Sequence, residues 1–266
     1  MSFTTLSFLI FLPIIFILYL ICPPKLRFVL LAVASIFACG FGHVTAIIPA
    51  FIVTAVSYLC GYALAKNTNK KTAKPILAVG IILCLIQLCL YKYVFKNAAF
   101  PVGLSFYTFA AIGLMADIYT GKCKALKNPL KHGLFIFYFP MLSSGPIQRG
   151  DKFFKQIEEL PAQKAFDVNR ILSGSLTALY GLFMKLVIAD RLKLYVDTIF
   201  DPEKYSLYSG IPVILGFIFF SLEIYTDFSG YTCIALGISK IFGIELSPNF
   251  KNPYLAGSIK EVSDIW

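Results

Sequence analysis

Residues 225–243 hold the side chains best suited to chemistry, and they directly follow a long apolar run. This stretch carries one carboxylate, Asp227, and the nearby hydroxyl groups of Tyr225, Ser229 and Tyr231. A carboxylate beside such apolar sequence is costly unless it is paired or faces water. We therefore treat these four residues as candidates for lining a substrate cavity.

The same stretch also has a purely structural interpretation. Asp227 or Ser229 can accept a hydrogen bond at the N-terminus of a helix that runs to Phe242. Gly243 then occupies the position after the helix, where a left-handed backbone is common. The residue types alone do not separate a helix cap from a functional carboxylate, so both interpretations stay open.

A second candidate is the break at Gly145-Pro146, which ends an apolar segment and is followed by Arg149. A break at membrane depth frees backbone groups, and these are tolerated only where they line a cavity or pack against protein. The break therefore predicts a cavity wall. We expect it to share one cavity with Asp227.

The third set of candidates consists of three charged residues within one long predicted helix, and they are Lys185, Asp190 and Arg191. These side chains could contact a substrate. The alternative is that Lys185 extends to the membrane interface while the acid and base pair locally. Asp190 and Lys193 are three residues apart and can pair on one helix face.

The histidines and serines offer no clear catalytic base or nucleophile. His43 lies in a predicted turn and His132 opens a short apolar segment, so both are interpreted as interfacial histidines. No G-x-S-x-G elbow is present. The seven cysteines show no metal spacing and are interpreted as reduced packing residues, so no metal site is expected.

The composition indicates an all-α membrane protein. Of the 266 residues, 58% are hydrophobic and only 14% are charged, and the mean hydropathy is +0.76. Apolar runs separated by short basic clusters predict a polytopic protein in a lipid bilayer. Because the net charge of +10 lies mostly in the loops, it indicates contact with anionic lipid and not with nucleic acid.

The apolar runs predict a single membrane domain over residues 1–266. The first run has no Lys or Arg before it, which indicates a retained helix and not a signal peptide. A short segment, 132–147, predicts a re-entrant element, and the polar stretch 149–170 predicts one or two cytosolic surface helices. The predicted spans and long apolar runs are 6–22, 26–41, 46–65, 75–91, 100–119, 169–200, 211–224 and 232–242.

The basic residues predict the orientation of this domain. The loops at 23–27, 66–74 and 121–131 fall on one side and carry ten Lys or Arg. The intervening loops at 42–45 and 92–99 carry two. Positive residues concentrate on the cytoplasmic side, so we expect the N-terminus outside the cell.

Five ordered stretches resemble motifs of one family. Residues 227–237, D-F-S-G-Y-T-C-I-A-L-G, resemble the D-F-S-G-Y-x-x-I-A-x-G signature of the membrane-bound O-acyltransferases, in the branch similar to alginate O-acetyltransferases. D-alanyl transfer proteins of teichoic acid modification are more distantly similar. The other matching stretches are P-V-G-L-S-F-Y-T-F (101–109), F-P-M-L-S-S-G-P-I-Q-R (139–149), G-L-F-M-K-L-V-I-A-D-R-L (181–192) and the segment 249–261.

This resemblance implies a helical-bundle O-acyltransferase. Such an enzyme would transfer an acyl group, most simply acetyl, from a cytosolic thioester such as acetyl-CoA to a hydroxyl of an exported polysaccharide. It implies no bound cofactor, and it allows a partner acetyltransferase protein. The family's histidines are expected beyond Trp266, so the catalytic residue is unknown and the 266 residues alone are expected to be inactive. The alternative is a non-catalytic, truncated membrane protein or one part of a split acyltransferase.

Overall fold

A computed structural model describes residues 3–67, 69–95, 101, 103–142, 145–146, 148–203, 207–249 and 257–258. In these ranges the chain forms helices and no β-strand, which confirms the predicted all-α class. The α-helices are α1 Leu6–Ile21, α2 Arg27–Gly40, α3 Ile47–Lys66, α4 Lys70–Cys89, α5 Leu104–Tyr119, α6 Pro129–Phe137, α7 Gly150–Glu159, α8 Val168–Phe183, α9 Asp190–Ile199 and α10 Ile211–Ile241. Short 3-10 turns cover Pro24–Leu26, Val44–Ala46, Phe139–Met141 and Leu160–Ala162, and π-helical segments cover Leu90–Val94 and Met184–Ala189.

Four helical stretches are long and apolar enough to cross a membrane, and they are Val44–Lys66, Lys71–Val94, Val168–Ile199 and Ile211–Ile241. The helices α1 and α5 are shorter but also apolar. Many large apolar side chains on these helices are exposed on the outside of the bundle, as a lipid-facing surface requires. The chain is therefore a multi-pass membrane protein.

The apolar runs predicted at 211–224 and 232–242 belong to a single helix. The helix α10 continues through both as one element of 31 residues. The polar residues between the runs do not end it. Thr226 donates its hydroxyl to the Leu222 carbonyl at 2.7 Å, and Ser229 and Gly230 are buried against neighbouring helices.

The C-terminus of α10 matches its prediction. Gly243 has a φ of 85°, and its amide donates to the Lys240 carbonyl at 3.0 Å. The Ile244 amide donates to the Ser239 carbonyl at 3.0 Å. These two bonds satisfy carbonyls at the helix end, and the left-handed backbone at Gly243 permits them.

The segment predicted as re-entrant is enclosed by protein as far as it is described. The helix α6 has nine residues, and its side chains from Gly133 to Phe137 are buried. After the helix ends, the amide of Phe139 donates to the hydroxyl of Ser35 on α2 at 3.0 Å. The Phe139 ring packs edge-on against Phe11 and Phe242. A break at this depth is tolerated because protein groups replace the lost helical contacts.

The polar stretch 149–170 contains one α-helix, α7, which is amphipathic. Its residues Phe153, Phe154 and Ile157 are buried, and Phe153 and Phe154 both pack edge-on against Phe135 of α6. The charged side chains lie on the opposite face. The helix therefore covers one end of the bundle, as a surface helix should.

Contacts bring two of the three predicted basic loops, 23–27 and 121–131, close together. Arg27 donates to the Gln163 carbonyl at 2.6 Å, and Lys131 lies 5.5 Å from the centre of the Phe28 ring. The Tyr58 hydroxyl donates to the Lys127 carbonyl at 2.8 Å. These contacts join the start of α2 to the start of α6, and the middle of α3 to the loop before α6.

This arrangement predicts opposite accessibility of the turn before α3 and the loop before α6. In a cysteine-free background, we expect Thr45→Cys and Lys127→Cys to react with a membrane-impermeant thiol reagent from opposite sides. Labelling of intact cells and of permeabilised cells measures this. Equal labelling of both positions in intact cells would contradict the arrangement.

Candidate functional site

Two glycine pairs bring α8 and α10 into close contact. Gly174 faces Gly237, and seven residues further along α8 Gly181 faces Gly230. A Cβ atom on Gly174 would lie 2.7 Å from the Gly237 carbonyl oxygen, and one on Gly181 would lie 2.5 Å from that of Gly230. The two antiparallel helices can approach this closely only because these positions have no side chain.

This close packing places Lys185 beside α10. Lys185 is one turn after Gly181, in the π-helical segment Met184–Ala189. Its backbone amide would lie 3.1 Å from a Cβ atom on Gly230. Single π-helical turns within long helices occur often at functional sites, because they redirect side chains. Here the turn connects α8 to α9.

Lys185 joins two carboxylates. Its Nζ lies 2.7 Å from Asp190 Oδ1 and 2.5 Å from Asp227 Oδ1. The ammonium group also lies 5.5 Å from the centre of the Tyr231 ring. The structure thus unites four predicted site residues from two separate sequence motifs, 181–192 and 227–237.

The burial of these groups is unequal. The Lys185 side chain is 15% exposed, whereas Asp190 and Asp227 are 40% and 36% exposed. The Lys185 ammonium is thus paired with two acceptors and does not extend alone into solvent. The predicted pairing of Asp190 with Lys193 is replaced by the Lys185 contact. One cation and two carboxylates leave an excess negative charge near the middle of α10.

The helix-cap interpretation of Asp227 and Ser229 was also wrong. Both residues lie inside the continuous helix α10, whose N-terminus is at Ile211. Ser229 is buried and hydrogen-bonded to the thiol of Cys233. Tyr225 lies half-buried on the same helix. Asp227 therefore does not cap a helix.

Sequence reasoning missed Glu223, which belongs to the same charged face. It lies one turn before Asp227 on α10, and its carboxylate interacts electrostatically with Asp227, Lys193 and Asp197. The four-residue spacing between Glu223 and Asp227 was the signal that could have found it. Arg191, a predicted site residue, lies exposed on α9.

Arg149 belongs to a second ion pair. Its guanidinium donates to Asp117 Oδ1 at 2.6 Å, and the Asp117 side chain is only 9% exposed. The Asp117 carbonyl accepts hydrogen bonds from the amides of Lys122 and Cys123 in the turn after α5. Asp117 was missed, although a lone carboxylate in an apolar helix carries the same signal as Asp227.

The break at Gly145-Pro146 is buried. A Cβ atom on Gly145 would lie 2.9 Å from the Pro140 carbonyl oxygen, so this backbone folds tightly onto the preceding turn. Ser143, Ser144 and Ile147 lie outside the described residues, as does most of the 249–261 motif. A cavity shared by the break and Asp227 stays a prediction.

The histidines differ from their interfacial interpretation in one case. His43 is exposed, but His132 is 2% exposed and its Nε2 lies 2.8 Å from the Ser57 hydroxyl. The ring also packs edge-on against Tyr58. This histidine is therefore a buried contact between α3 and α6 and not an interfacial residue. In the part of the chain that the structure describes, no group of three metal-ligating side chains occurs.

Known proteins resemble this chain over most of its length. A protein named probable alginate O-acetylase AlgI, from Pseudomonas syringae pv. tomato, is 27% identical over 277 residues, covering 96% of this chain and 52% of the relative. The AlgI protein of Pseudomonas fluorescens is 28% identical over 263 residues, with 97% and 52% covered. This chain is homologous to the membrane-bound O-acyltransferases.

Other homologues match a smaller part. The peptidoglycan O-acetyltransferase of Helicobacter pylori is 30% identical over 190 residues, covering 62% of this chain and 36% of the relative. The teichoic acid D-alanyltransferase of Bacillus subtilis is 28% identical over 166 residues, covering 62% and 41%. No family model matches the chain. The present chain spans about half the length of the AlgI proteins that it matches.

The glycine contacts predict how the site responds to added volume. We expect Gly181→Ala to lower the free energy of unfolding by about 1–3 kcal/mol, because its methyl group meets the Gly230 backbone. The matched control is Gly113→Ala on α5, where nothing lies within 4 Å of the added carbon. That control should be neutral or stabilising by up to about 1 kcal/mol.

Reversible unfolding of the purified protein in detergent measures both variants. If Gly181→Ala is as stable as Gly113→Ala, α8 and α10 do not pack as closely as described.

Proposed function

We propose that this chain forms part of a membrane O-acyltransferase. It would help to transfer an acyl group, most simply acetyl, from a cytosolic acyl thioester to a hydroxyl group of an exported or cell-surface polysaccharide. Relatives named for O-acetylation of alginate and of peptidoglycan support this reaction class. The acetyl donor would be a co-substrate such as acetyl-CoA, with no cofactor resident in the protein.

The observation that carries the proposal is the Lys185 contact with Asp190 and Asp227. Ionised groups in membrane helices are rare and mark substrate pathways, because each one is expensive to keep there. The two carboxylates remain partly exposed, so a substrate or water can reach them. Tyr231 and Glu223 extend the same face.

The reaction places clear demands on such a site. The hydroxyl oxygen of the acceptor attacks the thioester carbonyl, the carbon–sulfur bond breaks, and an ester and a thiol form. The hydroxyl proton passes to a base, and the departing sulfur takes up a proton. The carboxylates of this chain can accept hydrogen bonds from polysaccharide hydroxyls, and Lys185 fixes where those carboxylates point.

The proposed orientation places the basic loops in the cytoplasm and the N-terminus outside. Donor and acceptor would then approach the bundle from opposite faces. A partner acetyltransferase protein could act on the outer side. Impermeant labelling of the Thr45→Cys variant, but not of the Lys127→Cys variant, in intact cells would support this orientation, and the reverse pattern would oppose it.

A second candidate is a membrane protein with no role in acyl transfer, whereas one part of a split acyltransferase falls under the first proposal. The two candidates differ in whether loss of this chain changes acetylation in the cell. The experiment below tests whether the chain has a role in acetylation.

The test is deletion of the gene that encodes this chain, followed by complementation. We expect ester-linked acetate on extracellular polysaccharide to fall at least tenfold after deletion and to return with the wild-type gene. Asp227→Asn should fail to restore it, because the charge that Lys185 holds is lost. The measurement is acetate released by mild alkali per mass of polysaccharide.

The matched control is Lys74→Gln, which removes an exposed charge outside this site and should restore acetylation fully. Immunoblots of the membrane fraction must show equal amounts of each variant. Unchanged acetate after deletion would refute a role in acetylation. Full restoration by Asp227→Asn would show that the charge is dispensable.

A further inference from the structure

A cleft of about 660 Å³ lies between α7, the start of α8 and the segment that follows α10. It is on the same side of the bundle as the basic loop before α2, because Arg27 bonds to Gln163 in its wall. This cleft is distinct from the Lys185 site, since none of its lining residues belongs to that cluster.

The walls of the cleft are fixed by side-chain amides. Gln156 binds both backbone groups of Glu245, donating to its carbonyl at 2.9 Å and accepting from its amide at 2.5 Å. Gln148 likewise donates to the Ser247 carbonyl at 3.0 Å and accepts from the Ser247 amide at 2.8 Å. These four hydrogen bonds hold the segment after α10 against the residues before and within α7. The cleft between them therefore has a defined shape.

Three cations line the cleft. Lys152 and Lys155 come from α7 and lie three residues apart, and Arg170 comes from α8. Arg170 donates to the carbonyls of Lys164 and Ala165 at 2.8 Å and 2.9 Å, which fixes its guanidinium. Among the described residues, no carboxylate lies within 4.0 Å of the charged nitrogen atoms of these three side chains.

A fourth cation lies behind the wall. Arg27 is 5% exposed, and its guanidinium donates to the Gln163 carbonyl and lies 5.3 Å from the Tyr19 ring centre. Its Nε, like that of Arg170, is buried without a hydrogen-bond acceptor in the protein. Buried charge that no acid compensates is expensive, and it makes the cleft attractive to an anion.

We propose that this cleft binds a phosphate group. The three lining cations outnumber the two lining carboxylates, Glu159 and Glu245, and Arg27 adds positive charge behind the wall. A phosphate ester supplies several acceptor oxygens to lysine and arginine donors. The phosphate comes either from a phosphate-bearing acyl donor or from the headgroup of an anionic phospholipid. The first source rests on the proposed function, whereas the second does not.

Direct binding tests the cleft without reference to acyl transfer. The full chain is placed in nanodiscs of neutral lipid, and coenzyme A is titrated by calorimetry, with inorganic pyrophosphate as competitor. In a second arm, nanodiscs that contain phosphatidylglycerol are used, and the phosphatidylglycerol retained per protein is counted by native mass spectrometry. The test variant is Lys152→Gln with Lys155→Gln.

The matched control is Lys124→Gln with Lys127→Gln, two exposed lysines of equal spacing and outside the cleft. We expect the test variant to weaken coenzyme A binding at least tenfold, and the control to change it less than twofold. If only retained phosphatidylglycerol falls in the test variant, the cleft is a phosphate site for lipid.

Binding of both ligands that is equal in the wild type and in the test variant, or absent in both arms, overturns the proposal. Either result leaves the acetylation experiment unaffected, so failure of the cleft and failure of the proposed function can be told apart. Size-exclusion profiles confirm that each variant is folded.

Discussion

The structure depends on one constraint, which is that an ion within apolar helices must find its counter-ion inside the protein. Lys185 satisfies this constraint by contacting Asp190 and Asp227 together. The contact requires the backbones of α8 and α10 to lie a very short distance apart. The facing glycines on these helices provide that distance, and the π-helical turn after α8 directs Lys185 across the gap.

Close backbone approach of this kind also explains why separate sequence motifs lie together in space. The glycines and the charged residues of 181–192 and of 227–237 are neighbours in space, so each motif is half of one contact. Gly103 is a second example, since its φ of 76° and its contact with the Leu142 backbone join the motifs at 101–109 and 139–149. In both cases the glycine permits a close approach that a side chain would block.

Much of the fold could be predicted from the sequence, because apolar length and basic loops are local signals. The all-α class, the long apolar helices at 44–66, 71–94 and 168–199, and the role of Gly243 follow from such signals. The continuity of α10 could not be predicted, because Asp227 and Ser229 are as suitable for a cap as for a helix interior. Only the tertiary contact with α8 decides between the two.

The candidate site was predicted in its members but not in its pairing. The sequence allowed Asp190 to pair with Lys193, whereas the π-helical turn presents it to Lys185. Asp117 and Glu223 were missed because neither residue lies within one of the matching motifs. His132 was misplaced, since its hydrogen bond to Ser57 arises from a contact between α3 and α6 that local sequence does not show.

The most direct test of this account is a double-mutant cycle between Lys185 and Asp227. The free energy of unfolding in detergent is measured for the wild type, for Lys185→Gln, for Asp227→Asn and for the double variant. The account predicts a coupling energy of about 1.5 kcal/mol or more, within the range seen for contacting charged residues. A coupling energy below about 0.5 kcal/mol, as found for distant sites, would contradict it.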